Sequence, residues 1–257
     1  MTKIKEAFEN KKAFIGYLTA GDPDLETTEK LIFTMEQNGV DLIEIGIPFS
    51  DPVAEGPVIQ DADLRALQSG TTTEKIFEML ERIRPAVHVP LVFLTYCNAV
   101  FGYGTDRFLA RCQSVGIDGL IVPDVPYEER EELAPFCDQY GVDLIALVAP
   151  TSEERVYKIA KASQGFLYVV SSLGVTGVRE SIQTNIESIV KAAKTVSDIP
   201  CAVGFGISTP EQAKHFCQYA DGIIIGSAIV RLIGQYGREC IEPVAQYVRT
   251  IAEACHS

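Results

Sequence analysis

Apolar residues fall along this chain in eight short runs, at 14–18, 42–45, 91–95, 119–122, 144–148, 166–170, 201–203 and 222–225. Each run is rich in Ile, Val, Leu or aromatics and lacks a polar alternate face, which is how strands buried on both sides read. Between the runs the spacing of apolar positions lengthens to the helical period. Leu31, Ile32 and Met35 share one face behind Asp24, and Gly39 ends that segment. Thr71 with Glu74, and Thr151 with Glu154, have the capping-box spacing. Thr209 before Pro210 offers an N-cap followed by proline at the first helical position, where a missing N–H costs nothing. A further helix is expected over 5–10, closing one end of the structure, and another near 59–68, stopped by Gly70.

Strict alternation of strand and helix requires parallel strands joined by crossovers, so the choice lies between an open doubly wound sheet and a closed barrel. Eight units, with no early Gly-x-Gly-x-x-Gly turn, favour a single (β/α)8 barrel domain over 1–257. Two loops are elaborated, those after strands 2 and 6. The first spans 46–90 and opens with Pro48-Phe49-Ser50-Asp51-Pro52. Loops that follow strands carry the chemistry in this architecture.

Composition narrows the partners. The 257 residues are 47% hydrophobic, enough for one large core, and carry 22 Lys+Arg against 35 Asp+Glu, a net charge of −13. That balance argues against nucleic acid or an anionic membrane, and obliges any anionic ligand to use a local site. The seven cysteines are odd in number and contain no Cys-x-x-Cys pair, which predicts reduced thiols in a cytoplasmic protein. The first residues lack a signal-peptide core, and no apolar run is of membrane-spanning length.

Three glycine-bearing segments follow late strands: 170–177 after strand 6, 203–208 after strand 7, and Gly226-Ser227-Ala228-Ile229 after strand 8. Glycine lets a backbone approach an anion closely, and free N–H groups at a helix start point toward it. Neither of the last two loops contains lysine or arginine, so main-chain amides and the Ser227 hydroxyl would hold a phosphate there. Any one of these glycines alone reads as a tight turn; two such junctions in the last two strands favour phosphate.

Strand 2 reads Asp41-Leu42-Ile43-Glu44-Ile45-Gly46, a carboxylate inside an apolar run. Removal from water raises such a group toward the range useful for proton transfer, but a structural carboxylate satisfied by a neighbouring donor fits the pattern equally well. No lysine lies at the C-terminal end of an expected strand, which disfavours a Schiff base. The three histidines lie before strand 3, on a helix and at the tail, which disfavours a zinc cage or a histidine base. Carboxylates remain, with Glu44 first and Asp51 and Glu55 next. Tyr17, Tyr96 and Tyr168 either line a pocket or simply fill the core.

The run Leu42-Ile43-Glu44-Ile45-Gly46-Ile47-Pro48-Phe49-Ser50-Asp51-Pro52, followed by Gly56-Pro57-Val58-Ile59-Gln60, resembles the signature of the tryptophan synthase α subunit family. The likeness continues through Thr19-Ala20-Gly21-Asp22-Pro23, Tyr96-Cys97-Asn98, Pro123-Asp124-Val125-Pro126, Gly174-Val175-Thr176-Gly177, Gly204-Phe205-Gly206-Ile207-Ser208 and Gly226-Ser227-Ala228-Ile229-Val230. It covers nearly the whole chain. The resemblance implies retro-aldol cleavage of indole-3-glycerol phosphate to indole and glyceraldehyde 3-phosphate, without metal or cofactor on this chain. By the same resemblance Glu44 is the general acid–base, Gly177, Gly206, Gly226 and Ser227 bind the phosphate, and Tyr17, Leu94, Ile121, Tyr168 and Ile224 surround the indole. Thr176 belongs to a lid. The implied partner is a β subunit carrying pyridoxal phosphate in an α2β2 heterotetramer, facing the 52–57 loop and the 98–104 stretch.

One position departs from the family's pattern, which has Asp where this chain has Glu55, the group implied to pair with the indole N–H. An extra methylene displaces a carboxylate by about an ångström, enough to cost roughly a hundredfold in a positioned site. Three readings of that replacement stand: a slower enzyme, a compensated one, or a subunit that binds and regulates with weak cleavage. A sugar-phosphate isomerase on a similar barrel fits the phosphate loops but leaves the strand-2 motif unexplained.

Overall fold

The computed structural model describes residues 3–170, 179–204 and 206–257. Its strands are β1 (Ala13–Thr19), β2 (Leu42–Gly46), β3 (Leu91–Leu94), β4 (Gly119–Ile121), β5 (Asp143–Leu144), β6 (Ala146–Val148), β7 (Leu167–Val170), β8 (Cys201–Gly204) and β9 (Gly222–Ile225). All pair in parallel, in the order β5-β4-β3-β2-β1-β9-β8-β7-β6. The two ends of that order are neighbours in sequence. β5 pairs with β4 and β6 with β7, and Ile145 alone separates them. The run expected over 144–148 is therefore one barrel stave broken at Ile145, and the sheet closes through the chain itself.

The pleat sends alternate residues inward. Ile15, Leu42, Val92, Ile121, Ile145, Phe166 and Ile224 meet in the interior. Their neighbours Ile43, Ile45, Phe93, Leu120, Leu167 and Ile223 face outward into a second, larger core. Helices cover that outer surface, among them Leu25–Gln37, Thr73–Ile83, Thr105–Val115, Arg179–Val196 and Ile241–Cys255. The expected N-terminal helix is a 3-10 turn over Lys3–Phe8, and Ile4 and Ala7 from it join the interior cluster as the floor of the barrel. Ile4 is fully buried, and burial of a side chain that size is worth roughly 1.5–3 kcal/mol.

Helix starts follow local hydrogen-bonding chemistry. Asp24 accepts the N–H of Thr27 at 2.8 Å, and Thr209 with Gln212 completes a capping box ahead of Pro210. Two expected caps move by one residue. Thr72 rather than Thr71 caps Thr73–Ile83, and Ser152 rather than Thr151 caps Glu153–Ala162. In each case two adjacent hydroxyl residues could serve, and the one with extended backbone immediately before the first turn does. The long loop after β2 holds the helix Pro57–Gln68, beginning two residues before the expected 59 because proline is well suited to a first turn.

Candidate active site at the barrel mouth

The inward parity of β2 decides where Glu44 points. Leu42 faces the interior and Ile43 and Ile45 face the helices, so Glu44 faces inward again, one level above Leu42. It stands level with Tyr17 on β1 and Val92 on β3 and is 1% exposed. Above it opens a cavity of about 1190 Å³ at the carboxyl ends of the strands, with Glu44, Tyr17, Leu94, Tyr168, Ile224 and Glu55 among its walls. Room for the two tyrosines is made by glycines on the neighbouring strands. A Cβ on Gly46 would sit 2.1 Å from the Tyr17 hydroxyl, and one on Gly204 would sit 2.6 Å from the Tyr168 ring. Tyr17 Oη and Thr19 Oγ1 are hydrogen-bonded at 3.1 Å. Ile121, in register with the wall residue Leu94, is fully buried in the interior cluster behind the cavity wall.

Dehydration dominates the electrostatics. Burial, helped by the charge of Glu55, pushes the Glu44 carboxyl from its ordinary 4.5 up to about 8. Its Oε2 is buried and has no hydrogen-bond partner among the described residues, and the same holds for Glu55 Oε2. Burial also raises Glu55, against hydrogen bonds with Asp63 and Tyr96 that lower it. The phenols of Tyr17 and Tyr168 are held well above their ordinary range, first by burial and then by the surrounding carboxylates. This pocket keeps an acid protonated at neutral pH and offers two carboxyl oxygens to a ligand.

Across the mouth lie the other expected residues. Gly206, with a φ of +80°, Gly226 and Ser227 line the same cavity. Gly226 caps the ten-residue helix Ser227–Tyr236 without any side-chain hydrogen bond, leaving its first N–H groups at the rim. Gly177 and Thr176 lie outside the described residues. Asp51 is exposed, accepts the Ser50 hydroxyl at 2.6 Å, and does not reach the cavity wall. Two further residues at the site carry little mark in the sequence. Arg231 enters the wall from one turn below Ser227, a spacing of four that could have exposed it. Asp63, hydrogen-bonded to Glu55, gives no signal, because it reads as one more polar residue on a helix. Among the described residues no lysine or histidine lines the cavity.

Parallel strands closed into a barrel, with a cavity at their carboxyl ends, place the molecule in the TIM-barrel class. The sequence profile of the family described as Tryptophan synthase alpha chain matches residues 3–256. The tryptophan synthase alpha chain of Lacticaseibacillus casei is 46% identical over 254 residues, covering 99% of this chain and 96% of the relative. That of Alkaliphilus metalliredigens is 50% identical over 246 residues, 95% of this chain and 92% of the relative. A solved chain from Aquifex aeolicus superposes with a TM-score of 0.91 at 36% identity, each chain covered completely. Tryptophan synthase from M. tuberculosis, in its aminoacrylate-bound form, gives 0.89 at 31%, again over the whole of both chains. This chain belongs to the tryptophan synthase alpha chain family, and with that membership goes a lyase activity in tryptophan biosynthesis.

Proposed function

We propose that the chain cleaves indole-3-glycerol phosphate to indole and glyceraldehyde 3-phosphate with Glu44 as the single proton carrier. The observation that carries this reading is an acid 1% exposed, protonated at neutral pH and free at one oxygen, on the wall of a largely apolar cavity. With its carboxyl near 8, about ten Glu44 side chains are protonated for each one ionised at pH 7. The neutral acid gives its proton to indole C3. The carboxylate so formed takes the hydroxyl proton from the side-chain carbon attached to the ring. The carbon–carbon bond between them breaks, its electrons return to the ring, and a carbonyl forms on the departing fragment. Glu44 ends protonated, as it began.

Glu55 accepts the indole N–H through its unpartnered oxygen, stabilising the ring cation while C3 is tetrahedral. Tyr17, Leu94, Tyr168 and Ile224 hold the indole, with Ile121 packed beneath. The amides at Gly206, Gly226 and Ser227 hold the phosphate; the roles that the resemblance implies for Gly177 and Thr176 fall outside the described residues. With no lysine on the described wall to form a Schiff base, the chemistry runs on carboxyls, and the reaction so drawn calls for no metal or cofactor on this chain. Glu55 reaches the cavity despite its longer arm, which favours a compensated enzyme. Val53 is 80% exposed and Phe101 46% exposed, on the two segments expected to meet a β subunit carrying pyridoxal phosphate, in an α2β2 assembly that receives the indole. No helix among the described residues is long and apolar enough to cross a membrane, and the proposed enzyme works in the cytoplasm. The test is indole release from indole-3-glycerol phosphate, with and without a β subunit. Release by the parent chain and its loss in Glu44→Gln is the expected result; a variant as fast as the parent overturns the assignment of the proton carrier.

A further inference from the structure

The helix Pro57–Gln68 buries Ile59, Ala62, Asp63 and Ala66 on one stripe. Three of the four are apolar, and the fourth is a carboxyl, 3% exposed. Such a group is costly unless something nearby needs it. What lies nearby is Glu55, within hydrogen-bond reach of Asp63. Two carboxyls in hydrogen-bond contact do not both ionise at neutral pH, so one proton stays between them there.

Their surroundings decide which residue holds it. Tyr96 gives a hydrogen bond to Glu55, which favours the Glu55 anion. The Tyr96 oxygen is itself fixed by the N–H of Ala54 at 3.1 Å. Asp63 accepts a hydrogen bond from the Phe49 backbone but faces a second carboxylate, Asp22, which favours its neutral form. Asp22 is held in place by both nitrogens of the Arg65 fork, each at 2.8 Å. Tyr17, Glu44 and Tyr168 are the other titratable groups facing the pair, and each stays protonated at neutral pH.

We infer that Asp63 is a positioning residue for Glu55, its carboxylic acid donating to one Glu55 oxygen and so turning the other, Oε2, to the substrate. The inference rests on the proposed cleavage reaction and deepens it. It explains how a glutamate serves at the position where the resemblance implies the shorter aspartate: the extra methylene is taken up by an anchor on the carboxylate's other oxygen. Asp63 touches no substrate and acts only through Glu55.

Three full-length chains test this: the parent, Asp63→Asn and Asp63→Leu. Asparagine can still donate to Glu55 but cannot titrate; leucine can do neither. Indole release from indole-3-glycerol phosphate is expected to stay within about threefold of the parent in Asp63→Asn. In Asp63→Leu it should fall at least tenfold, mostly in kcat, because the donor that holds the carboxylate is gone. Carboxyl 13C NMR of the ligand-free chains supplies a readout that a merely structural role would not move. The Glu55 signal should shift in two separated steps in the parent, and in one step at lower pH in Asp63→Asn. A Glu55 titration identical in parent and Asp63→Asn overturns the inference, as does an Asp63→Leu chain that turns over like the parent. Should Asp63→Leu fail to fold, Asp63→Asn and its titration still decide. If the parent itself releases no indole, the reaction assigned above falls, while the NMR titration separately decides the carboxyl pair.

Discussion

Replacing Glu44 by glutamine removes a titration while keeping the outline of the side chain, and its effect on stability can be worked out from the structure. In the unfolded chain this carboxyl ionises near its ordinary 4.5; in the folded one it holds its proton to about 8. Between those values the native state binds one more proton than the unfolded state, so stability falls as pH rises, by ~1.36 kcal/mol per unit. At pH 7 two and a half units have been crossed, a loss of about 3 kcal/mol; by pH 8 and above it nears about 5 kcal/mol. Below pH 4.5 both states are protonated and the loss disappears. Glutamine does not titrate. Urea unfolding of the two chains at several pH values should therefore show Glu44→Gln gaining on the parent as pH rises from 5 to 8. Any constant offset belongs to the amide's own hydrogen bonding, and the pH-dependent part to the carboxyl alone. Glu55 and Asp63 titrate in both chains and largely cancel in the difference. The same variant should lose roughly 100- to 10,000-fold in indole release, the usual worth of a positioned acid–base. A stability difference that does not change with pH would refute the dehydrated acid on which the mechanism stands.

Other consequences can be measured separately. Gly46→Ala places a methyl 2.1 Å from the Tyr17 hydroxyl; it should cost about 1–3 kcal/mol in urea melts and raise KM. Arg65→Leu strands the fully buried Asp22 without its ion pair, an expected loss of about 3–5 kcal/mol at pH 7. Burial already pushes the Asp22 carboxyl up, so the variant should recover stability as acid neutralises it, and an equal deficit at every pH would argue against the pairing. Arg231→Gln should raise KM for indole-3-glycerol phosphate by about tenfold, the worth of one charged hydrogen bond, and flatten its dependence on salt; an unchanged KM would remove Arg231 from the phosphate end.

Much of the architecture is legible in the sequence, for a physical reason. Parallel strands buried on both faces must be continuously apolar, so Glu44 inside 42–45 stands out against Leu42, Ile43 and Ile45, and the alternation of side chains gives its direction. The candidate phosphate loops are legible because tight turning alone does not call for glycine at the ends of consecutive strands. Asp63 is hidden because burial of one carboxyl on a helix depends on what packs over it, here the segment carrying Glu55. The break at Ile145 is hidden too, since an apolar residue in an apolar run carries no mark of the point where the stave passes from β4 to β7. The displaced caps at Thr72 and Ser152 reflect competition between adjacent hydroxyl residues, either of which has the oxygen a cap needs.

The barrel's closure also sets a timetable for biosynthesis. β1 lies between β2, which follows it closely along the chain, and β9, whose Gly222 pairs with Ala13. More than two hundred residues must leave the ribosome before that second edge can be satisfied. Until then β1, buried along its whole length in the finished barrel, offers an open edge of unpaired backbone groups, while Ile4 and Ala7 wait for the ring they are to seal. Assembly of so non-local a seam is intrinsically slow, and the nascent chain is most in need of chaperone shelter in the interval before β9 emerges.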